Sequence, residues 1–224
     1  INRQLCNGCG ECCTVCIYHA LVLYGIPMGV DEIFDAVRKD KMFYDSSGGG
    51  VTVSGGEALL HPELIAGLFE KCRRAGIHTC IETSGQADPS AIIQVLELTD
   101  YILFDLKHLD AEKHRQYTGQ NNKRIVANAR VAADSGVEIL FRMPLLPGIN
   151  DDLPNIQATA AFLHSLGSRA RRLELMPYHS LGKGKYTSLG RDYPLPDIPV
   201  PDREYLESVK NKFTALDIEC MISG

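Results

Sequence analysis

The chain has 224 residues, 45% of them hydrophobic and 23% charged, enough apolar material for one sizeable α/β domain with a small appendage. That composition excludes a disordered or fibrous chain, and the formal net charge of −5 argues against nucleic acid as the main partner, since phosphate binding needs a basic face. No run approaches the roughly 18 apolar residues of a membrane span and no signal-peptide pattern opens the sequence, so no membrane partner and a cytoplasmic home are expected.

The first sixteen residues carry the densest chemistry. Cys6, Cys9, Cys12 and Cys16 stand as C-x2-C-x2-C-x3-C, the run with which bacterial-type ferredoxins hold an iron–sulfur cluster. Two cysteines separated by two residues turn both thiolates toward one metal centre, and the third and fourth close the cage. Gly8 and Gly10 allow the tight bends of such a wrap. Paired C-x2-C elements also build zinc sites, but those set two pairs across a longer loop, so the single short run favours iron–sulfur. Cys13 leaves a second arrangement open: Cys9, Cys13 and Cys16 read C-x3-C-x2-C, the spacing of the cluster that cleaves S-adenosylmethionine in radical enzymes. Ile17 stands where ferredoxin runs usually carry proline. The remaining cysteines, Cys72, Cys80 and Cys220, lie scattered in apolar contexts and are expected to be buried core thiols. The sequence starts at Ile1, almost on the cysteine run, and an upstream segment is expected to be missing.

Ala20 to Tyr24 is a short apolar stretch expected to form a strand closing the cluster segment, and Gly25, Pro27 and Gly29 then mark a break. The expected division is a partial ferredoxin-like iron–sulfur segment over 1–28 and a main body over 29–224. From Val30 to Lys39, Ile33, Phe34 and Val37 recur at helical spacing, with acids at the start and bases at the end. Val51–Val53, Ile77–Ile81, Tyr101–Leu106, Val137–Met143 and Leu173–Met176 read as strands, and 62–74, 89–98, 122–134 and 152–166 as helices. A last helix near 202–214 and a strand near 216–221 follow. Strand starts recur at roughly the thirty residues of a βα unit, which predicts a parallel sheet, open or closed into a barrel.

In parallel α/β sheets, ligands sit at the carboxyl ends of the strands, so the residues there form one surface. Past the first core strand comes Ser54-Gly55-Gly56-Glu57, where glycines let backbone N–H groups approach a ligand and the carboxylate suits an ammonium. Past the second lie Glu82, Thr83, Ser84 and Gly85, and past the third Asp105 and Lys107, which point the same way along the strand. Arg142 interrupts an otherwise core strand, where a guanidinium suits a carboxylate or a ribose, and His179 follows the fifth strand. Each position has an ordinary alternative: a glycine turn, a structural salt bridge, a satisfied loop histidine. Their convergence on one rim favours a zwitterionic small ligand carrying both amine and carboxylate.

At this point the chain resembles the radical S-adenosylmethionine enzymes, specifically the activating enzymes of glycyl radical enzymes, the group that includes pyruvate formate-lyase activase. The motifs are SGGEALLHPE, IETSG, LFDLKHLD, RMPLLPGIND and LELMPYHSLGKGKY, and the resemblance runs from Cys6 to about Pro201. The stretch from Met28 to Glu57, with a ferredoxin run before it, is most similar to the subgroup with an inserted ferredoxin-like domain. The resemblance implies a partial parallel (β/α) barrel, with a ferredoxin-like remnant before it. It implies that Gly55, Gly56 and Glu57 bind the methionyl amine of S-adenosylmethionine and that Thr83, Lys107, Arg142 and His179 surround its carboxylate and ribose. Glu82, Thr83 and Asp105 match positions where the family can hold a monovalent cation. Glu82 stands where relatives often have aspartate, and Ala58 replaces the usual proline.

The family reaction starts when a reduced 4Fe-4S cluster donates an electron to the sulfonium. The resulting 5′-deoxyadenosyl radical takes a hydrogen from a glycine of the partner, a glycyl radical enzyme, and the cofactors carry that chemistry. An electron donor such as flavodoxin or ferredoxin is implied as a second partner. Members place C-x3-C-x2-C just after the first barrel strand, and only eight residues precede Cys9. The main expectation is therefore that the first strand and the catalytic cluster are absent, that Cys6, Cys9, Cys12 and Cys16 form an accessory relay, and that the fragment alone does not turn over. Two rivals share the same residues: an iron–sulfur electron-transfer or docking module without catalysis, and a zinc-stabilised binding domain.

Overall fold

In the computed structural model, which describes residues 1–195 and 197–223, six strands form one all-parallel sheet in the order β1-β2-β3-β4-β5-β6. They are β1 (Gly50–Val53), β2 (His78–Thr83), β3 (Tyr101–Asp105), β4 (Glu138–Leu145), β5 (Arg172–Pro177) and β6 (Glu219–Ile222). Spatial order equals sequence order, so each crossover returns the chain beside the strand it left. The ends of the order, β1 and β6, are not paired with each other among the described residues, and the sheet is an open partial barrel of βα units.

Period-two alternation sorts the side chains. Ile81, Ile102, Phe104, Ile139, Phe141, Met143, Leu173 and Leu175 enter the core on the helix-covered face, where Phe104 and Phe141 pack at 5.6 Å between ring centroids. The opposite face carries Glu82, Asp105, Arg142 and Glu174, all half-buried. Register fixes three of them in one row, since Asp105 is level with Arg142 and Arg142 with Glu174.

The covering helices follow the amphipathic spacing. After α1 (Glu11–Thr14), α2 (Val30–Val37) and α3 (Lys41–Ser47), α4 (Pro62–Arg74) starts on proline, ends on Lys71, Arg73 and Arg74, and buries Ile65, Leu68, Phe69 and Cys72. Then come α5 (Pro89–Leu96), α6 (Ala111–Thr118), α7 (Lys123–Asp134), α8 (Leu153–Ser165), α9 (Gly182–Ser188) and α10 (Arg203–Thr214). All the long helices and all six barrel strands fall on the expected segments. No helix among the described residues is long and apolar enough to cross a membrane.

Two expectations need correction. Ala20–Tyr24 is no strand: it carries no regular structure, and Val22, Leu23 and Tyr24 are exposed. A single extended segment has nowhere to send its backbone hydrogen bonds, and apolar composition alone does not supply a partner strand. Cys72 and Cys80 are buried as expected, but Cys220 is only half-buried, in β6 at the end of the strand order.

Candidate functional site

The rim is built by three consecutive strand exits. Beyond β1, Gly55 takes φ +135°, a conformation that disfavours any side chain, and a Cβ on Gly55 or Gly56 would point into open space. Packing against neighbouring atoms therefore does not require these glycines; backbone conformation sets Gly55, and both leave their backbone open to approach. Beyond β2, Gly85 is a glycine for two reasons: its φ is +72°, and a Cβ would lie 2.4 Å from the Phe104 ring. Asn128, buried in α7, donates to the Gly85 and Ala87 carbonyls at 2.8 and 2.9 Å and fixes that turn.

Glu57 is clamped between the two exits. Its carboxylate accepts from the Thr83 hydroxyl, from Ser84 N–H at 3.0 Å and Ser84 Oγ at 2.6 Å, and from Leu59 N–H at 3.2 Å. It thus caps the turn at Ala58–Leu60 and staples β1 to β2. Ser54, Gly55, Gly56, Glu82, Thr83, Ser84, Asp105 and Lys107 line a polar cleft of about 90 Å³.

Charge on the rim is arranged in two groups. Lys107 Nζ meets Asp105 Oδ2 at 3.1 Å, while the other oxygen, Asp105 Oδ1, is buried without a hydrogen-bond partner. Burial raises the Asp105 carboxyl above its ordinary range, against the opposing pull of Lys107. Arg142 joins Glu82 through Nη1 at 3.0 Å and Glu174 through Nε at 2.9 Å, so β2, β4 and β5 are bridged by one guanidinium.

A second hollow of about 320 Å³ shares Lys107 with the cleft and is otherwise largely apolar, walled by Tyr117, Pro144, Leu146, Tyr186 and Tyr193 among others. His108 and His114, both buried, also line it. Each has one ring nitrogen engaged and Nε2 without a protein partner.

The structure brings Gly55, Gly56, Glu82, Thr83, Asp105 and Lys107 together around one cleft, with Glu57 stapled behind it and Arg142 against Glu82. It does not bring in His179, which lies exposed beyond the end of β5. Two contributors were missed from the sequence. Glu174 carries the same signal that singled out Arg142, a charge inside an apolar strand, and Ser84 was seen only as one of several hydroxyls, because its grip on Glu57 depends on the β1–β2 pairing.

The cysteine segment lies apart. Cys6, Cys9 and Cys12 are exposed, Cys13 and Cys16 half-exposed, and all five are free thiols. Among the described residues no three His, Cys, Asp or Glu side chains converge as a metal site, and no hydrogen bond or ion pair links residues 6–16 to the rim. The donor chemistry nevertheless fits a cluster. Four thiols stand on one short segment, Gly8 and Gly10 are at positive φ, and Ala20 N–H points at Cys16 Sγ at 3.3 Å, drawing that thiol below its ordinary range. A metal-bound loop need not be preassembled without its metal. For S-adenosylmethionine the fit rests on the open glycine backbone and on the unpartnered Asp105 Oδ1 beside a lysine.

Comparison with known proteins agrees with this fold. Residues 4–158 match the model of the radical SAM superfamily. The chain is 39% identical to the (2S)-3-sulfopropanediol dehydratase activating enzyme of Klebsiella oxytoca, over 99% of this chain and 71% of that protein. It is 40% identical to the isethionate sulfite-lyase activating enzyme of Nitratidesulfovibrio vulgaris, over 88% of this chain but only 64% of that one. Among solved structures, a domain of a pyruvate-formate lyase-activating enzyme from Bacteroides vulgatus superposes with a TM-score of 0.66 at 30% identity, covering 79% of this chain and 99% of that domain. The chain belongs to the radical SAM superfamily, among the activating enzymes of glycyl radical enzymes.

Proposed function

We propose that the rim from Gly55 to Lys107 holds S-adenosylmethionine and that the whole protein uses it to install a radical on a glycine of a partner glycyl radical enzyme. The observation that carries this reading is the joining of an open glycine backbone, Thr83, Lys107 and the buried, unpartnered Asp105 Oδ1 around one cleft. In this reading Gly55 and Gly56 present backbone to the methionyl amine, while Glu57 acts from behind by fixing that backbone against β2. Lys107 and Arg142 face the ligand carboxylate, Arg142 exchanging part of its hold on Glu82 for it. His179 reaches the ribose once its exposed loop folds over the ligand. Glu82 and Asp105 provide the carboxylates for a monovalent cation, which would free Arg142 from Glu82.

When bound, a reduced 4Fe-4S cluster and S-adenosylmethionine supply the one-electron chemistry; the chain orients the cofactor and keeps water from the rim. Residues 1–28 form a ferredoxin-like relay segment with Cys6, Cys9, Cys12 and Cys16 as ligands, apart from the 29–224 body. The cluster that cleaves S-adenosylmethionine is held by a further cysteine motif. Support comes from the lack of any hydrogen bond or ion pair between residues 6–16 and the rim. The hollow beside Lys107 offers the protein substrate an apolar seat next to the cofactor, and an external flavodoxin or ferredoxin feeds the relay.

The test is anaerobic incubation of the whole protein with S-adenosylmethionine, reductant and a glycyl radical enzyme. 5′-Deoxyadenosine release and a glycyl radical signal by electron paramagnetic resonance are expected, and neither from residues 1–224 alone. Iron and sulfide without either product from the whole protein would favour a purely electron-carrying module. Robust cleavage by the 224 residues would move the reactive cluster to Cys9, Cys13 and Cys16.

A further inference from the structure

Lys107 leaves the sheet on a segment, Lys107–Leu109, that belongs to neither strand nor helix, so its backbone groups need partners from elsewhere. Three buried asparagines supply them. Asn122, at the start of α7, donates through Nδ2 to the His108 and Leu109 carbonyls at 3.0 and 2.7 Å. Asn155, in α8, accepts from Leu109 N–H at 3.0 Å through Oδ1. Asn150, in the loop before α8, donates to the Lys107 carbonyl at 3.0 Å and to the Pro144 carbonyl at 2.6 Å, and accepts from Leu146 N–H at 2.9 Å. Asn155 Nδ2 in turn donates to the Asn150 carbonyl at 2.7 Å, joining two of the three.

Asn122, Asn150 and Asn155 are 5%, 1% and 3% exposed, and a buried amide is costly unless its donors and acceptors are used. Here both donors and the acceptor of Asn150 are used, and all on the exits of β3 and β4, the strands that deliver Lys107 and Arg142. Apolar packing cannot do this work, because the groups to be satisfied are backbone carbonyls and amides on two separate exits. An asparagine, with a donor and an acceptor on one short rigid arm, can tie both.

We propose that Asn150, backed by Asn122 and Asn155, is the positioning residue that sets where Lys107 meets the ligand carboxylate. The assignment rests on the reading of Lys107 as a contact for S-adenosylmethionine. Lysine is a long, flexible point charge, so the base from which it reaches decides its aim, and a displacement of about 1 Å in such a group costs up to about a hundredfold in function.

Hydrogen exchange by mass spectrometry and calorimetric titration with S-adenosylmethionine, on the cluster-reconstituted protein, test it together. Asn150→Ala should speed exchange in 105–110 and 144–150, leave β2 protected, and weaken S-adenosylmethionine about tenfold or more. Thr79→Ala is the control: Thr79 is fully buried and bonded to the Leu98 carbonyl and to Asp100, on the helix-covered face of β2. It should lower Tm yet leave the affinity unchanged. If Asn150→Ala does not fold, Asn122→Ala releases only the His108 and Leu109 carbonyls and carries the same comparison. Loosened exits with wild-type affinity overturn the proposal, as does unchanged exchange. A wild-type protein with protected exits and no affinity for S-adenosylmethionine instead overturns the cofactor reading, and the assignment with it.

Discussion

Arg142 is committed to two glutamates before any ligand arrives, and that commitment has a measurable consequence. Its side chain is 18% exposed, and without it Glu82 and Glu174 face each other's strands uncompensated. Arg142→Met should lower stability by about 1–3 kcal/mol at neutral pH. An unchanged urea midpoint at pH 7 would remove the bridge from the account. Asp105 works in the opposite sense. Burial raises its carboxyl above the ordinary value of 3.8, so the folded chain binds this proton more tightly than the unfolded chain. Its contribution to stability is therefore complete below the ordinary value and is lost as pH rises through the raised one. Asp105→Asn should raise Tm at pH 7 and match wild type at acid pH, while weakening ligand binding. A Tm that falls at pH 7 would show that the Lys107 pair outweighs burial. At this scale the sequence was informative wherever a charge interrupted an apolar strand, as with Arg142. It was silent on Asn150 and Ser84, whose partners are backbone groups brought near only by the sheet.

Among elements, the turn after β2 is constrained in two ways. Gly85 must hold φ +72° while leaving room for the Phe104 ring. Gly85→Ala should cost about 1–3 kcal/mol, and adding Phe104→Leu should recover only the steric part, because the backbone conformation remains unfavourable. Chemical denaturation measures both, and a single variant within error of wild type would contradict this. The long helices and the strands were legible because burial imposes a period of 3.6 or 2 on their apolar residues. α6 was not, since only His114 among its residues is buried, yet its ends were written in the sequence. Asp110 accepts from Glu112 and Lys113 N–H at 2.9 and 2.8 Å, and Gly119 closes the helix at positive φ. Ala20–Tyr24 failed for the converse reason: apolar content suggested a strand where no strand among the described residues pairs with it.

The whole molecule places two kinds of chemistry on one chain, a thiol-rich segment and a polar rim, with no direct polar contact between them. Anaerobic reconstitution should give iron and acid-labile sulfide in a four-to-four ratio for one cluster, a loading lost on Cys6→Ser, Cys9→Ser, Cys12→Ser or Cys16→Ser and kept on Cys13→Ser. Zinc without sulfide would assign the segment to a structural metal. The proposed function rests on the rim, and calorimetric titration of the reconstituted protein with S-adenosylmethionine tests it most directly. Saturable one-to-one binding is predicted, abolished by Gly55→Val and weakened at least about tenfold by Lys107→Ala. Equal binding by wild type and both variants, or none by wild type, would contradict it.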